Sequence, residues 1–343
     1  MVEEALQLRL AVGALVIGVA FGIVAQRSKF CMVAAISNWV LMRDYRQAHA
    51  YLVAITVALV GTQVLELGFA IPIGESGFRI GTLDWVAAAS GGVIFGVGAM
   101  LAGGCAGRTL VRSAEGNLGS LIALIAFAIA AMVTLFGVLQ PVRAWIRQSA
   151  VPLATDDASV AALLQIPPWW IIAAVVVLVT LLVLLTGRRT RSAWMIVSGA
   201  VIGLLVAAGW WLTGYFAHDE FEPTPPLSLT FSGPLARASL YVTAQITTGT
   251  YFGLFLIPGV LLGALASALA GREFHWVMPD ASRVGAFTFG GMLMGVGAIL
   301  AGGCNIGHGL SGLSTLSLQA VIAVAGIIAG MRLTLAWLQW RDR

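Results

Sequence analysis

The chain of 343 residues is 59% apolar and only 10% charged, with a mean hydropathy of +0.94. That composition leaves too little polar surface to coat a soluble globule of this length, so it excludes a soluble enzyme and a disordered chain and puts the protein in a bilayer. The net charge of +4 gives no reason to expect nucleic acid, because the basic residues sit in short segments between apolar stretches, where membrane topology accounts for them.

A helix of about 20 apolar residues crosses the hydrocarbon core. Nine such stretches are predicted, over 10–26, 50–70, 85–102, 118–138, 169–186, 193–215, 250–270, 284–301 and 316–338. The expected fold class is all-α: a polytopic membrane protein of about nine transmembrane helices plus short re-entrant half-helices. The first stretch is followed by Arg27 and Lys29 and not by a small-residue cleavage site, so it reads as a retained span. If each stretch crosses once, thirteen Lys and Arg residues fall on one side and five on the other, with Arg332 inside the last span. The positive-inside rule then makes the richer side cytoplasmic, with the N-terminus outside and the C-terminus inside.

In chain order, the first span ends in Gln26-Arg27-Ser28-Lys29-Phe30-Cys31, and the apolar run 32–41 that follows is too short to cross. It suggests a re-entrant or interfacial piece. The third span contains a block, Gly91 to Cys105, that returns as Gly290 to Cys304, shifted by 199 residues. The two copies agree at every glycine and at the cysteine. Residues 139–168, with Pro141, Arg143, Arg147, Asp156, Asp157, Pro167 and Pro168, read as an outside loop with a short interfacial helix around 142–149. Residues 216–238, carrying Asp219, Glu220, Glu222, Pro223, Pro225 and Pro226, read as a second outside loop. Trp169, Trp170, Trp210, Trp211, Trp337 and Trp340 stand near span ends, where an indole bridges apolar and wet surroundings, and are read as interfacial anchors.

The duplication extends past the glycine block. Gly18 and Gly22 in the first span resemble Gly199 and Gly203 in the sixth, and 50–70 falls on 250–270 at nearly the same shift. Spans one to four then map onto six to nine. An offset of five crossings is odd, so the second copy runs upside down, the inverted-repeat arrangement of many transporters, whose sites lie near mid-depth where the halves meet. The expected organisation is one membrane domain over 1–343, with half-repeats 1–138 and 193–343 joined by a connector, 139–192, that carries the fifth span.

Each Gly-Gly-Cys ends an apolar run and precedes a segment too short and polar to be the next span. Gly103, Gly104, Gly302 and Gly303 permit a backbone reversal, and non-helical backbone at membrane depth is tolerated only where protein buries it or it lines a polar cavity. Cys105 and Cys304 would then open half-helices whose free N–H groups favour an anion. The plain alternative is that the glycines serve close helix packing and the cysteines are small buried fillers. A filler, however, should drift to Ala or Ser between copies. Cys31 is not duplicated, since the matching place in the sixth span is read as 207–212. The three cysteines form no paired spacing and no zinc pattern, so no metal and no disulfide framework is expected. Thr243, Gln245, Thr247, Thr248 and Thr250 would either line a path or pair with helix backbone. His49, His218, His275 and His308 receive no role. Glu66 is the one carboxylate placed inside a span, near its outer end, and no buried acid pairs suggest a proton relay.

Gln-Arg-Ser-x-Phe-Cys at 26–31 and Gly-Gly-Cys at 103–105 and 302–304, in this order and spacing, resemble the YeeE/YedE family of bacterial inner-membrane sulfur-compound transporters, its thiosulfate branch in particular. The resemblance covers nearly the whole chain. It implies no catalysis and no cofactor, a thiosulfate path along Cys31, Cys105 and Cys304, and a small sulfur-carrier protein of the TusA type on the cytoplasmic side. Arg108 is a departure that bears on which anion is preferred. Chemically, a thiol offers a soft dianion a weak neutral S–H donor and polarisable sulfur. Weakness suits conduction, because a site must release what it admits. The thiols must stay protonated, since a thiolate would repel the cargo. Carriage of another sulfur or selenium oxyanion, thiol oxidoreduction and copper transport are the alternatives. The ten methionines form no Met-x-x-Met runs, which argues against copper.

Overall fold

A computed structural model describes residues 2–186, 192–217, 225–244 and 251–341. The first half of the chain gives α1 (Val2–Ser28), α2 (Met32–Met42), α3 (Arg46–Gly68), strand β1 (Ile80–Leu83), α4 (Trp85–Leu101), α5 (Ala106–Ala114) and α6 (Leu118–Phe136). Next come α7 (Gln140–Arg147), β2 (Val151–Asp157), α8 (Val160–Leu164) and α9 (Pro168–Leu185). The remainder gives α10 (Ala193–Trp211), extended by a π-helical turn at Leu212–Phe216, then α11 (Ser232–Ala244), α12 (Tyr251–Ala270), α13 (Ala281–Ala301), a π-helical turn at Gly307–Gly312, and α14 (Leu318–Arg341). Among the described residues nine segments are long and apolar enough to cross a membrane, and each coincides with one of the nine predicted stretches.

Lipid tails are as apolar as Leu, so helices in a bilayer associate through close backbone approach and not through burial of apolar faces from water. The duplicated glycines supply that approach. Gly18 and Gly22 of α1 lie on Leu256, Val260 and Ala264 of α12, while Gly199 and Gly203 of α10 lie on Ala50 and Ala54 of α3. Both contacts advance in step along the two chains, so both pairs are parallel. The two long copies instead cross antiparallel: Gly91 meets Gly297 and Ala301, and Gly98 meets Gly290 and Met294. A Cβ at Gly96 would stand 2.2 Å from the Ile327 carbonyl oxygen, and one at the equivalent Gly295 would stand 2.4 Å from that of Phe127. Equivalent glycines thus seat α14 on α4 and α6 on α13.

Short elements fill the space inside this frame. α2 packs on α3 and α14, and α11 packs on α12 and α6, which are the equivalent helices of the other copy. This corrects two expectations. Segment 225–231 is no outside loop: Ser228, Leu229 and Phe231 are buried in the centre, and α11 starts there. The counterpart of Cys31, just before α2, is therefore Phe231, just before α11, and not a residue of 207–212. The polar stretch following α10 displaces the register, which hides the match. His218, Asp219, Glu220, Glu222 and Pro223, together with Gln245, Thr247, Thr248 and Thr250, lie outside the described residues. Thr243 donates to the Ser239 carbonyl at 2.8 Å, pairing with its own helix backbone.

Trp210 is also no anchor. It is fully buried and donates to Ser314 Oγ at 3.2 Å, because its side of α10 faces the interior turn after Cys304. Trp169, Trp170, Trp211, Trp337 and Trp340 are exposed, as interfacial anchors would be. His49 is buried in the first turn of α3, where Nε2 lies 2.7 Å from Thr186 Oγ1.

On the face where α4 begins, β1 and β2 pair antiparallel, Ile80 opposite Asp157 and Leu83 opposite Val151, inside segments expected to be irregular. The interfacial helix expected near 142–149 is α7. Arg79 ties this cap to the frame: its guanidinium binds Asp157 and reaches Glu66 Oε1 at 2.5 Å. Burial alone would raise the Asp157 carboxyl, but Arg79 donating to it outweighs this and holds it below the ordinary carboxylate value. The contribution of the pair is therefore full above the unfolded pKa near ~4 and is lost as pH falls through the lower folded value. Arg79→Gln is expected to cost about 2 kcal/mol near neutral pH, read as an apparent Tm a few degrees lower. In melting curves recorded as pH is lowered, the gap between variant and native protein should narrow below about pH 4. Equal melting near neutral pH would show that the cap does not depend on this pair.

Candidate functional site

Three reversals of the chain bring the cysteines inside. Gly103 and Gly302, the first glycine of each pair, have φ of +67° and +88°, the left-handed conformation that ends a helix and that a side chain would strain. Cys105 then caps α5 in an extended conformation (φ −74°, ψ 169°), and Cys31 caps α2 in another (φ −160°, ψ 128°). Each thiol sits at the cap position of its helix, close to a first-turn N–H, that of Ala34 for Cys31 and that of Arg108 for Cys105. Cys304 precedes the π-helical turn and accepts from the Gly307 N–H at 3.5 Å.

All three cysteines are free, buried and part of one contiguous core. Cys31 Sγ lies 3.9 Å from Cys105 Sγ, a non-bonded contact between residues 74 apart in sequence. Tyr51 of α3 joins this pair to Cys304. Its hydroxyl donates to the Asn305 carbonyl at 2.7 Å, its ring stacks on Phe30 at 5.1 Å, and it lies near each of the three cysteines. Glycine at 309 makes the room, since a Cβ there would stand 2.6 Å from the Tyr51 hydroxyl.

The glycines divide by position. Gly104 is buried, its carbonyl accepting from Thr109 Oγ1 at 3.3 Å, and Gly303 is buried against the His308 ring, where a Cβ would come within 2.9 Å. Gly103 and Gly302 are exposed. The Gly103 carbonyl accepts from Arg112 at 3.3 Å. Gly302 lines a cavity of about 190 Å³ under the β1–β2 cap, together with Asp84, Arg143, Arg147, His308 and Gln319. Arg147 is paired with Asp84 at 2.8 Å. Arg108, the departure noted in the sequence, is held by Glu115 at 3.0 Å, so its charge is largely compensated.

The motif at 26–31 proves to be a clamp as well as a carrier of Cys31. Gln26 donates to Glu273 at 2.9 Å and accepts from Ser267 Oγ at 2.7 Å, while Arg27 donates to the same hydroxyl at 3.0 Å. These bonds lock the end of α1 to α12, and Gln47 of α3 holds the Ser28 carbonyl at 3.1 Å. Tyr51, Asn305, Phe231 and His308 are central residues that the sequence did not single out. A polar aromatic at the start of an otherwise apolar span was the only signal for Tyr51. Phe231 had none, being one apolar residue among many.

Tyr51→Phe keeps the stacking on Phe30 and removes one hydrogen bond, leaving the buried Asn305 carbonyl unanswered at a cost of about 1–3 kcal/mol. The expected result is a folded protein with a lower apparent Tm and faster alkylation of Cys304 by a small thiol reagent. Unchanged labelling would show that the hydroxyl does not hold this turn.

Comparison with known proteins agrees with this architecture. The family model described as "Sulphur transport" matches residues 27–333, a range that contains all three cysteines and both glycine blocks. The chain is 30% identical over 345 residues to a protein of Escherichia coli (strain K12) named "Thiosulfate transporter TsuA", covering 94% of this chain and 93% of that one. It is 30% identical over 349 residues to a protein of the same name from Spirochaeta thermophila, covering 95% and 98%. A family-model match over most of its length, with two relatives 30% identical over nearly all of it, makes the chain a member of the sulphur transport (YeeE/YedE) family.

Proposed function

We propose that the protein takes up thiosulfate across the bacterial inner membrane into the cytoplasm, along a central path lined by Cys304, Cys105 and Cys31. The observation that carries this reading is the gathering of three buried free thiols, from distant parts of the chain, around one tyrosine. The relatives named for thiosulfate support the cargo. Half-repeats 1–138 and 193–343, joined by 139–192, bring their reversals toward the middle from opposite faces. With the basic side cytoplasmic, the N-terminus lies outside and the C-terminus inside.

In that orientation the β1–β2 cap is external. Arg143 and Arg147 attract a dianion to the cavity at Gly302, and Cys304 lies behind it. Cys105 and Cys31 form the inner pair, each offering an S–H to the terminal sulfur and handing the ion along without a charged intermediate. Gly103, Gly104, Gly302 and Gly303 shape the turns that present the thiols. On the cytoplasmic side the emerging ion would meet a sulfur-carrier protein of the TusA type. Inward movement of a dianion against an inside-negative potential is opposed by about 4.6 kcal/mol per 100 mV, so accumulation requires an opposing gradient or rapid consumption.

Cys105→Ala and Cys304→Ala are each expected to abolish growth on limiting thiosulfate while leaving folded protein in the membrane, checked by growth assay and by size-exclusion of the detergent-extracted variant. Full growth with both replaced would refute the assignment. Competition with sulfite, sulfate and selenite in uptake assays distinguishes thiosulfate from the other sulfur and selenium oxyanions.

A further inference from the structure

His308 sits in the π-helical turn behind Cys304 with its ring buried. Its Nε2 lies 2.8 Å from the Ala301 carbonyl oxygen, which can only accept, so Nε2 carries the hydrogen and Nδ1 is a bare acceptor. Nδ1 has no hydrogen-bond partner among the described residues, an uncommon state for a buried polar atom. Phe78 covers one side of the ring at 5.6 Å, and the ring lines the cavity under the cap. The charged groups lining the same cavity are Asp84 from the start of α4 and Arg143 and Arg147 from α7, and Cys304 lies one turn before His308 on the same segment. Gln319 of α14, which also lines the cavity, is neutral.

The charge of this cavity is mismatched to a dianion. Two guanidiniums against one carboxylate leave a single positive charge, so a bound thiosulfate leaves one negative charge in a partly open cavity, where protein walls screen it less than bulk water would. One proton on the free imidazole nitrogen restores neutrality.

We propose that thiosulfate enters this cavity together with a proton, which binds His308 Nδ1 and is released as the anion moves on. The inference rests on the thiosulfate reading above. The proton comes from solution on the capped face and occupies the Nδ1 lone pair to give an imidazolium. It leaves toward the opposite face, and no bond of the cargo is made or broken. Carrying one proton with each dianion halves the charge moved and couples uptake to an outside-acid gradient.

The test uses the full-length protein in liposomes clamped at zero potential, with an internal pH dye. An outside-acid gradient should drive thiosulfate accumulation with matching internal acidification, and KM should rise by up to about tenfold for each unit that the external pH is raised. His308→Gln retains a donor for the Ala301 carbonyl but cannot take the proton, so its KM should be independent of pH and its uptake should leave the dye unchanged. Wild-type uptake with a silent dye and a flat KM overturns the proposal, as does the same pH slope in His308→Gln. The wild-type dye and KM measurements decide the matter even if the variant does not fold. Absence of any thiosulfate uptake by the wild type would instead sink the substrate assignment itself.

Discussion

Backbone that leaves helical conformation at membrane depth has no water to turn to, so every N–H and C=O it frees must find a partner in the protein. The centre of this molecule is organised by that demand. Ser311 donates to the Leu229 carbonyl at 2.7 Å, Ser228 to that of Val206 at 2.7 Å, and Thr213 both donates to the Leu227 carbonyl and accepts from its N–H. Tyr51, Gln47 and Thr109 do the same for Asn305, Ser28 and Gly104. Among the described residues few buried side-chain polar atoms are left without a partner, those of Asn305 and His308 Nδ1 among them.

The frame and the interior solve different problems. Long helices need only contact one another, and equivalent glycines let their backbones close to distances at which no side chain fits. The short elements must stop at mid-depth, reverse and expose a chosen group. Left-handed glycines at 103 and 302 end the long helices, and the clamp of Gln26 and Arg27 on Ser267 and Glu273 fixes where the third reversal occurs. A packing motif and a site motif are therefore adjacent in sequence at each place, which is why a short pattern such as Gln-Arg-Ser-x-Phe-Cys carries both.

The two copies of the glycine-cysteine block do not have equal surroundings. Cys105 and Cys304 correspond, but Cys31 corresponds to Phe231. Cys31 and Cys105 stand 3.9 Å apart, whereas Phe231, which takes the place of Cys31 in the other copy, is a fully buried phenylalanine packed on Phe21. Ala106 is matched by Asn305 and Thr109 by His308, so the second half-helix is the more polar. On the reading proposed above, the more polar half-helix lies beside the arginine-lined cavity and the thiol pair beyond it, an order that suits an ion with a sulfonate at one end and a bare sulfur at the other.

Composition and apolar run length determined the class of this protein and its nine spans, because crossing a bilayer is a constraint of about 20 consecutive residues and leaves its mark locally. The duplication of Gly91 to Cys105 was equally plain, since a repeat is read by comparison of the chain with itself. The cap strands, the burial of Ser228, Leu229, Phe231 and Trp210, the match of Cys31 with Phe231, and the central positions of Tyr51 and His308 were decided only by tertiary structure. Each depends on a partner more than one helix away: the Asn305 carbonyl for Tyr51, the turn after Cys304 for Trp210, Arg79 for the cap. A local pattern records what a residue prefers among its neighbours in sequence. It carries no trace of a hydrogen bond to a carbonyl 254 residues away.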